Sequence, residues 1–389
     1  MHNRLTTLVY FFFFFIFFFK YLSFLHRMLV STRPAGPLRR LPLCLSLASK
    51  PVHCSPCSLR QASIHRGPTL VPTQRRSFII PSNNMDLKSS SFTNAVVSAM
   101  RSLYPEELAD RAWDNVGLLL ENTEGPGLAP VVLLTNDVTG AVVDEAIAKN
   151  ASVIVSYHPP IFRGLKSITL KDPQQQLLLQ LVKHNIAVYS PHTAVDATPG
   201  GLNDWLADLV SAAANDFPHV KVERTNAKPV TSAIPAGFEG AGYGRVCKFS
   251  EPIPWPRVVH AVAQKLGQRY VSLATPRGFP KGMPRGDDAS TPTVTSVAVC
   301  AGSGADVLGG CGADMLITGE MSHHAALHAT MRGQMVMTVF HSNSERRFLR
   351  DVMQGKLSEA VRAHFSQTAS VLVSEADSDP FEVWDLNSV

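Results

Sequence analysis

Aspartate and glutamate are absent before Asp86, although residues 1–85 carry eleven Lys and Arg in this chain of 389 residues. The net charge of +5 is therefore uneven: residues 86–389 hold 25 basic against 31 acidic side chains, a net of −6. A mildly acidic body lacks the clustered basic face that nucleic-acid binding needs, so no direct nucleic-acid partner is expected. Cysteine is scarce. Six in a chain this long do not frame a disulfide scaffold, and Cys54 and Cys57 lack the second pair that would complete a zinc site. Cys44, Cys247, Cys300 and Cys311 stand in apolar or Gly-rich settings and read as small core residues in a reducing compartment. The apolar run Leu8–Phe19 has twelve residues. That is short of the ~18–20 that span a bilayer, and Lys20 ends it.

What is present is enough apolar material, 45% of residues, to build a sizeable core. Residues 1–85 form a basic targeting leader. Their Arg, Ser and Leu content without acids reads as a mitochondrial presequence, and Arg75-Arg76-Ser77-Phe78 resembles a matrix-protease cleavage signal. The alternative is a cytoplasmic chain whose translation starts at Met28 or Met85.

From about Phe92 short apolar runs alternate with helical periodicity. Val131–Thr135, Ser152–Ser156 and Ile186–Tyr189 read as buried strands, and Thr139–Lys149 as a helix. Asp172-Pro173 opens another helix, with Asp as the N-cap and Pro at the first helical position. The rhythm breaks near Asn215 and resumes with strands at Val297–Cys300, Met315–Ile317 and Met335–Phe340. The expected fold is α/β with two domains. Residues 92–215 and 295–375 form a mostly parallel sheet domain from both ends of the body, and residues 216–294 are a smaller inserted α+β domain.

Three stretches put imidazoles and carboxylates just beyond a strand: His158, then His192 with Asp196, then His341 with Glu345. Ligands of open α/β sheets bind outside the strands' carboxyl ends, where such loops converge. Nitrogen and carboxylate donors together suit Zn, Mn, Fe, Co or Ni, and are harder than the thiolate sets of structural zinc. Each residue alone has a plainer reading: His158 a loop hydrogen-bonder, Asp196 a helix cap, Glu345 a first-turn carboxylate. Gly302-Ser303-Gly304 reads as a tight strand-to-helix turn before it reads as a phosphate cradle. Trp113-Asp114-Asn115 reads as a loop tie, and the helix bearing His323, His324 and His328 as an edge of the site, with Glu320 contacting either a ligand from behind or the substrate.

The ordered segments Trp113–Leu118, Tyr157–Phe162, His192–Asp196, Gly302–Gly304, Thr318–Glu320 and His341–Glu345 closely resemble the Nif-three-like family, also called GTP cyclohydrolase I type 2 homologs. The resemblance spans residues 92–375. It implies a toroidal homohexamer with two divalent metal ions inside. The implied ligands are His158, Asp196, His341 and Glu345, with Glu345 bridging and His192 near the metals. Many bacterial members carry two adjacent histidines where this chain has Tyr157-His158, which removes one imidazole. A metal pair supports hydrolysis, with His192 transferring protons. The expected activity is metal-dependent hydrolysis of a nucleotide-like or phosphorylated small molecule. The alternative is a non-catalytic metal-binding protein with a regulatory protein partner.

Overall fold

Val132, Leu133 and Leu134 are consecutive and fully buried, so the strand they form has no solvent face. In a computed structural model, which describes residues 87–279, 282 and 291–386, this pattern organises the whole body. The leader, with its Phe-rich run, Cys54–Cys57 and Arg75–Phe78, lies outside the described residues, as does most of 280–290. In chain order the elements are α1 (Ser91–Leu103), β1 (Gly117–Leu120), β2 (Val131–Thr135), α2 (Gly140–Ala148), β3 (Val153–Ser156), α3 (Pro173–Lys183), β4 (Ala187–Ser190), α4 (Thr193–Ala197) and α5 (Leu202–Ser211). Then follow β5 (Val222–Pro229), β6 (Gly242–Pro254), α6 (Trp255–Leu266), β7 (Ser272–Ala274), β8 (Thr293–Ser303), α7 (Ala305–Leu308), β9 (Met315–Glu320), α8 (His323–Met331) and β10 (Met335–Thr338). The chain ends with α9 (Arg346–Phe348), a π turn (Leu349–Met353), α10 (Gln354–His364) and β11 (Ser370–Val373).

The first sheet has the order β1-β4-β3-β2-β11, parallel except for β1. Leu133, Ile154 and Val188 face one cluster with Val142, Ala146 and Leu181 of α2 and α3. Val132, Leu134, Val155 and Tyr189 face the opposite way, into a central core. Strands covered on both faces are what parallel β-α-β units produce. The helix caps match the sequence: Thr139 Oγ1 accepts from Val142 N at 3.3 Å, and Asp172 Oδ1 from Gln175 N at 2.9 Å.

The second sheet has the order β5-β6-β8-β9-β10-β7, with β8, β9 and β10 parallel and the rest antiparallel. Its Val299, Ile317 and Met337 share the central core with Met100 of α1, Trp205 of α5, Val262 of α6 and Leu357 of α10. Its other face packs Cys300, Leu316 and Val336 against Leu308 and Ala329 of α7 and α8. The two sheets thus sandwich one helical layer and carry helices outside.

The mostly parallel α/β architecture is the expected one, and the first sheet does draw on both ends of the body. Sheet membership, however, does not follow the expected boundary at residue 294. Strands β8–β10 pair with β6 and β7, and only β11 returns to β2. Alternation reveals that neighbouring strands run parallel, but not which sheet they extend. The long antiparallel register from Arg245↔Val299 to Pro254↔Thr293 decides that here. Cys247, Cys300 and Cys311 are free, the first two buried. Among the described residues no helix is long and apolar enough to cross a membrane.

Candidate metal centre

The carboxyl ends of the parallel strands in both sheets open onto one place. Asn136 and Asp137 follow β2, Tyr157 and His158 follow β3, and His192 to Asp196 follow β4. Gly302 and Glu320 sit at the ends of β8 and β9, and His341 to Glu345 follow β10. Short strands therefore deliver the side chains, and the buried sheets hold them still.

Glu345 is the centre of the arrangement, with its side chain only 2% exposed. Its Oε1 lies 3.3 Å from His341 Nε2, and its Oε2 lies 3.5 Å from His158 Nε2 and accepts from Asn136 Nδ2 at 2.9 Å. Each imidazole has a carboxylate at its other nitrogen: Asp137 at 2.9 Å from His158 Nδ1, and Glu320 at 3.1 Å from His341 Nδ1. Burial alone would raise the Glu345 pKa, yet the hydrogen bonds and charges of His158 and His341 hold it at about 2. Burial likewise disfavours a charged His158, but Asp137 and Glu345 lift it to about 10. The Glu345 hydrogen bond lifts His341 to about 9 against its burial. Without an ion, two imidazoliums flank a carboxylate.

Those two protons carry the same charge as one divalent cation. Donor atoms of His158, His341 and Glu345 all lie within 4.8 Å of one another, a group that could hold a metal ion. The two imidazole-to-carboxylate spacings are 3.3 and 3.5 Å, each to a different oxygen of Glu345. Close packing supports the same reading. At Gly302 (φ +59°) a Cβ would sit 2.6 Å from Glu345 Oε1 and 2.9 Å from His341 Nε2. At Gly319 a Cβ would come within 2.8 Å of the His341 Cα. The residues present fit a divalent ion.

Three of the four expected ligands are thus together, and Asp196 stands apart from that group. Its Oδ1 accepts from Tyr157 Oη at 2.7 Å, and burial pushes its pKa up to about 6, with His192 opposing. Burial, then the Asp196 and Glu345 charges, push the Tyr157 phenol well above its ordinary value, so it stays a neutral donor. His192 precedes α4, with Nδ1 at 2.7 Å from Asp114 Oδ1. Tyr157, His158, His192, Asp196, His341 and Glu345 all line one cavity of about 710 Å³. The exposed rings of Trp113 and Phe162, 5.9 Å apart, form part of its wall, as does Lys228.

His323, His324 and His328 are exposed on α8 and line neither this cavity nor the one beyond His158 and His341. That second cavity, about 510 Å³, is walled by Asp137, Glu320, Phe340 and the C-terminal segment. There Asp379 accepts from Ser342 Oγ at 2.6 Å, and Asp377 accepts from Asn136 N at 2.8 Å. Sequence reasoning missed Asn136 and Asp137, although they follow β2 as His158 follows β3. Asp114, in sequence a loop tie, also binds His192 through its carboxylate.

Residues 93–380 match the family Duf34/NIF3 (NGG1p interacting factor 3). The chain is 39% identical over 295 residues to Protein NIF3 homolog of Schizosaccharomyces pombe, covering 76% of this chain and 99% of that protein. It is 35% identical over 300 residues to NGG1-interacting factor 3 of Saccharomyces cerevisiae, covering 74% and 96%. Among solved structures, a Bacillus cereus protein related to NIF3 superposes with a TM-score of 0.57 at 23% identity, over 75% of this chain and 98% of that one. The strand-end geometry and these likenesses agree, and the chain belongs to the Duf34/NIF3 family.

Proposed function

We propose that this protein is a divalent-metal-dependent hydrolase of a nucleotide-like or phosphorylated small molecule. The observation that carries the reading is the buried Glu345 carboxylate between two imidazoles, opening onto a cavity of small-molecule size. His158, His341 and Glu345, with Asp196, would hold two ions of the Zn, Mn, Fe, Co or Ni class. That the two oxygens of Glu345 face different imidazoles supports a bridging role. Ions bound there would acidify a water and offset negative charge on the attacked group. The chain's own residues do the rest. Asp137 and Glu320 orient the two imidazoles, Asn136 fixes one oxygen of Glu345, and His192 moves a proton. Exposed Trp113 and Phe162 offer faces to a planar ring, and Lys228 a cation to an anionic group.

The acid-free leader supports a mitochondrial location for the chain, with the cytoplasm as the alternative, and the family resemblance supports a homohexamer. The competing reading, a metal-binding protein with a regulatory protein partner, is favoured by the name of the Saccharomyces cerevisiae relative. The experiment loads the full chain with each metal in turn and assays a panel of nucleotides and phosphate esters for hydrolysis. Turnover that His192→Ala abolishes while bound metal is retained is the expected result. No turnover from protein of verified metal content would move the assignment to the interaction protein.

A further inference from the structure

We propose that Asp114 is a positioning residue that holds the His192 proton on Nδ1 and so presents the Nε2 lone pair to the cavity as its proton acceptor. The role of that acceptor rests on the hydrolase reading; the location of the proton does not.

The Asp114 side chain is completely buried, yet its carboxylate is fully engaged. Oδ1 lies 2.7 Å from His192 Nδ1 and accepts from Asn115 N at 2.8 Å. Oδ2 accepts from Thr193 N at 3.2 Å and from Thr193 Oγ1. Burial raises its pKa, but the His192 and Thr193 hydrogen bonds outweigh it and the net shift is downward. An ionised carboxylate has no proton to give, so the hydrogen of the Asp114–His192 bond belongs to Nδ1. In a neutral ring the lone pair is then on Nε2. A free histidine side chain prefers the opposite tautomer, so the carboxylate has reversed the ring's own preference.

The orientation is fixed as firmly as the tautomer. His192 adopts φ +33° and ψ −117°, which an L residue holds only where its surroundings over-determine it. Four rings stand nearly perpendicular to its imidazole: Trp113 at 5.7 Å, Tyr157 at 5.5 Å, His158 at 5.4 Å and Phe162 at 6.4 Å between centroids. Among the described residues Nε2 has no hydrogen-bond partner, and the ring lines the 710 Å³ cavity. Thr193 closes the arrangement from behind, since its hydroxyl accepts from Asp110 N at 3.0 Å while donating to Asp114. Strain, ring packing and a buried carboxylate all serve to aim one lone pair, which a merely structural histidine would not need.

The same tautomer would suit a metal ligand, so the experiment separates the two roles. The ring nitrogens of His192 are observed by ¹⁵N NMR in the full chain with isotope-labelled histidine, assigned through His192→Gln, across a pH series. Wild type is expected to show protonated Nδ1 and bare Nε2, and Asp114→Ala to shift toward protonated Nε2. Metal content is expected to be unchanged in both variants. Protonated Nε2 in the wild type would overturn the proposal. An unchanged tautomer in folded Asp114→Ala would also overturn it, by removing Asp114 from the role. Loss of bound metal in His192→Gln would make Nε2 a ligand and not a proton acceptor. Absence of turnover with the tautomer as expected would sink the hydrolase reading and leave the positioning intact.

Discussion

Replacing Gly302 by alanine should damage the metal group directly. The added Cβ would lie 2.6 Å from Glu345 Oε1 and 2.9 Å from His341 Nε2, so both groups must retreat by several tenths of an ångström. Glu345 cannot retreat freely, because Asn136 and His158 hold its other oxygen. The backbone adds a second penalty: φ is +59°, where a residue with a Cβ loses roughly 1–2 kcal/mol. Overpacking a closed site adds ~1–3 kcal/mol, so the ion-free protein should lose about 2–5 kcal/mol. At about 2–4 °C per kcal/mol for a body of this size, the midpoint should fall by roughly 4–20 °C. Gly310→Ala is the control, since nothing lies within 4 Å of a Cβ there. Thermal unfolding and elemental analysis of both variants provide the assay. A Gly302→Ala protein with wild-type midpoint and wild-type metal content would refute the placement of Gly302 against the metal group.

Tyr157→Phe removes the donor to Asp196 Oδ1 and should destabilise the ion-free protein by ~1–3 kcal/mol, with divalent cation restoring part of the loss in thermal melts. Glu345, held near 2 from an ordinary 4.5, contributes stability that is present above pH 4.5 and lost as pH falls through 2. His158, raised to about 10 from 6.5, contributes stability that is present below pH 6.5 and lost as pH rises through 10. Denaturant titrations of the ion-free protein should therefore weaken on the alkaline side, and saturating metal should remove that weakening; an identical alkaline loss with metal bound would contradict the site. Ending the chain after Ala376 deletes the Asp377 and Asp379 contacts to Asn136 and Ser342, and should lower metal affinity by roughly 10–100-fold in competition with a chromophoric chelator. Residues 1–85 fused to a fluorescent protein should direct it to mitochondria, and a diffuse cytoplasmic signal would defeat that expectation.

Local signals in the sequence carried far. Asp172-Pro173 marks the start of α3 because a side-chain cap and a fixed φ are properties of two adjacent residues. The run Val131–Thr135 coincides with β2 because a doubly buried strand has no polar face to confuse its pattern. His158, His341 and Glu345 were legible for a similar reason: each follows a strand whose carboxyl end points the same way. Sheet membership was not legible, since β8 reads the same whether its other neighbour is β2 or β6. Asp114 was hidden because its partner is 78 positions away and a buried carboxylate in a loop looks like any turn residue. Tyr157 was visible as a departure, but only the structure shows that its hydroxyl occupies an oxygen of Asp196.

The most direct test is the metal content, by elemental analysis, of the full chain purified without chelator, beside its Glu345→Ala variant. About two divalent ions per chain, falling sharply in the variant, is the result this account predicts. A folded wild-type protein carrying no metal, indistinguishable from Glu345→Ala, would contradict it.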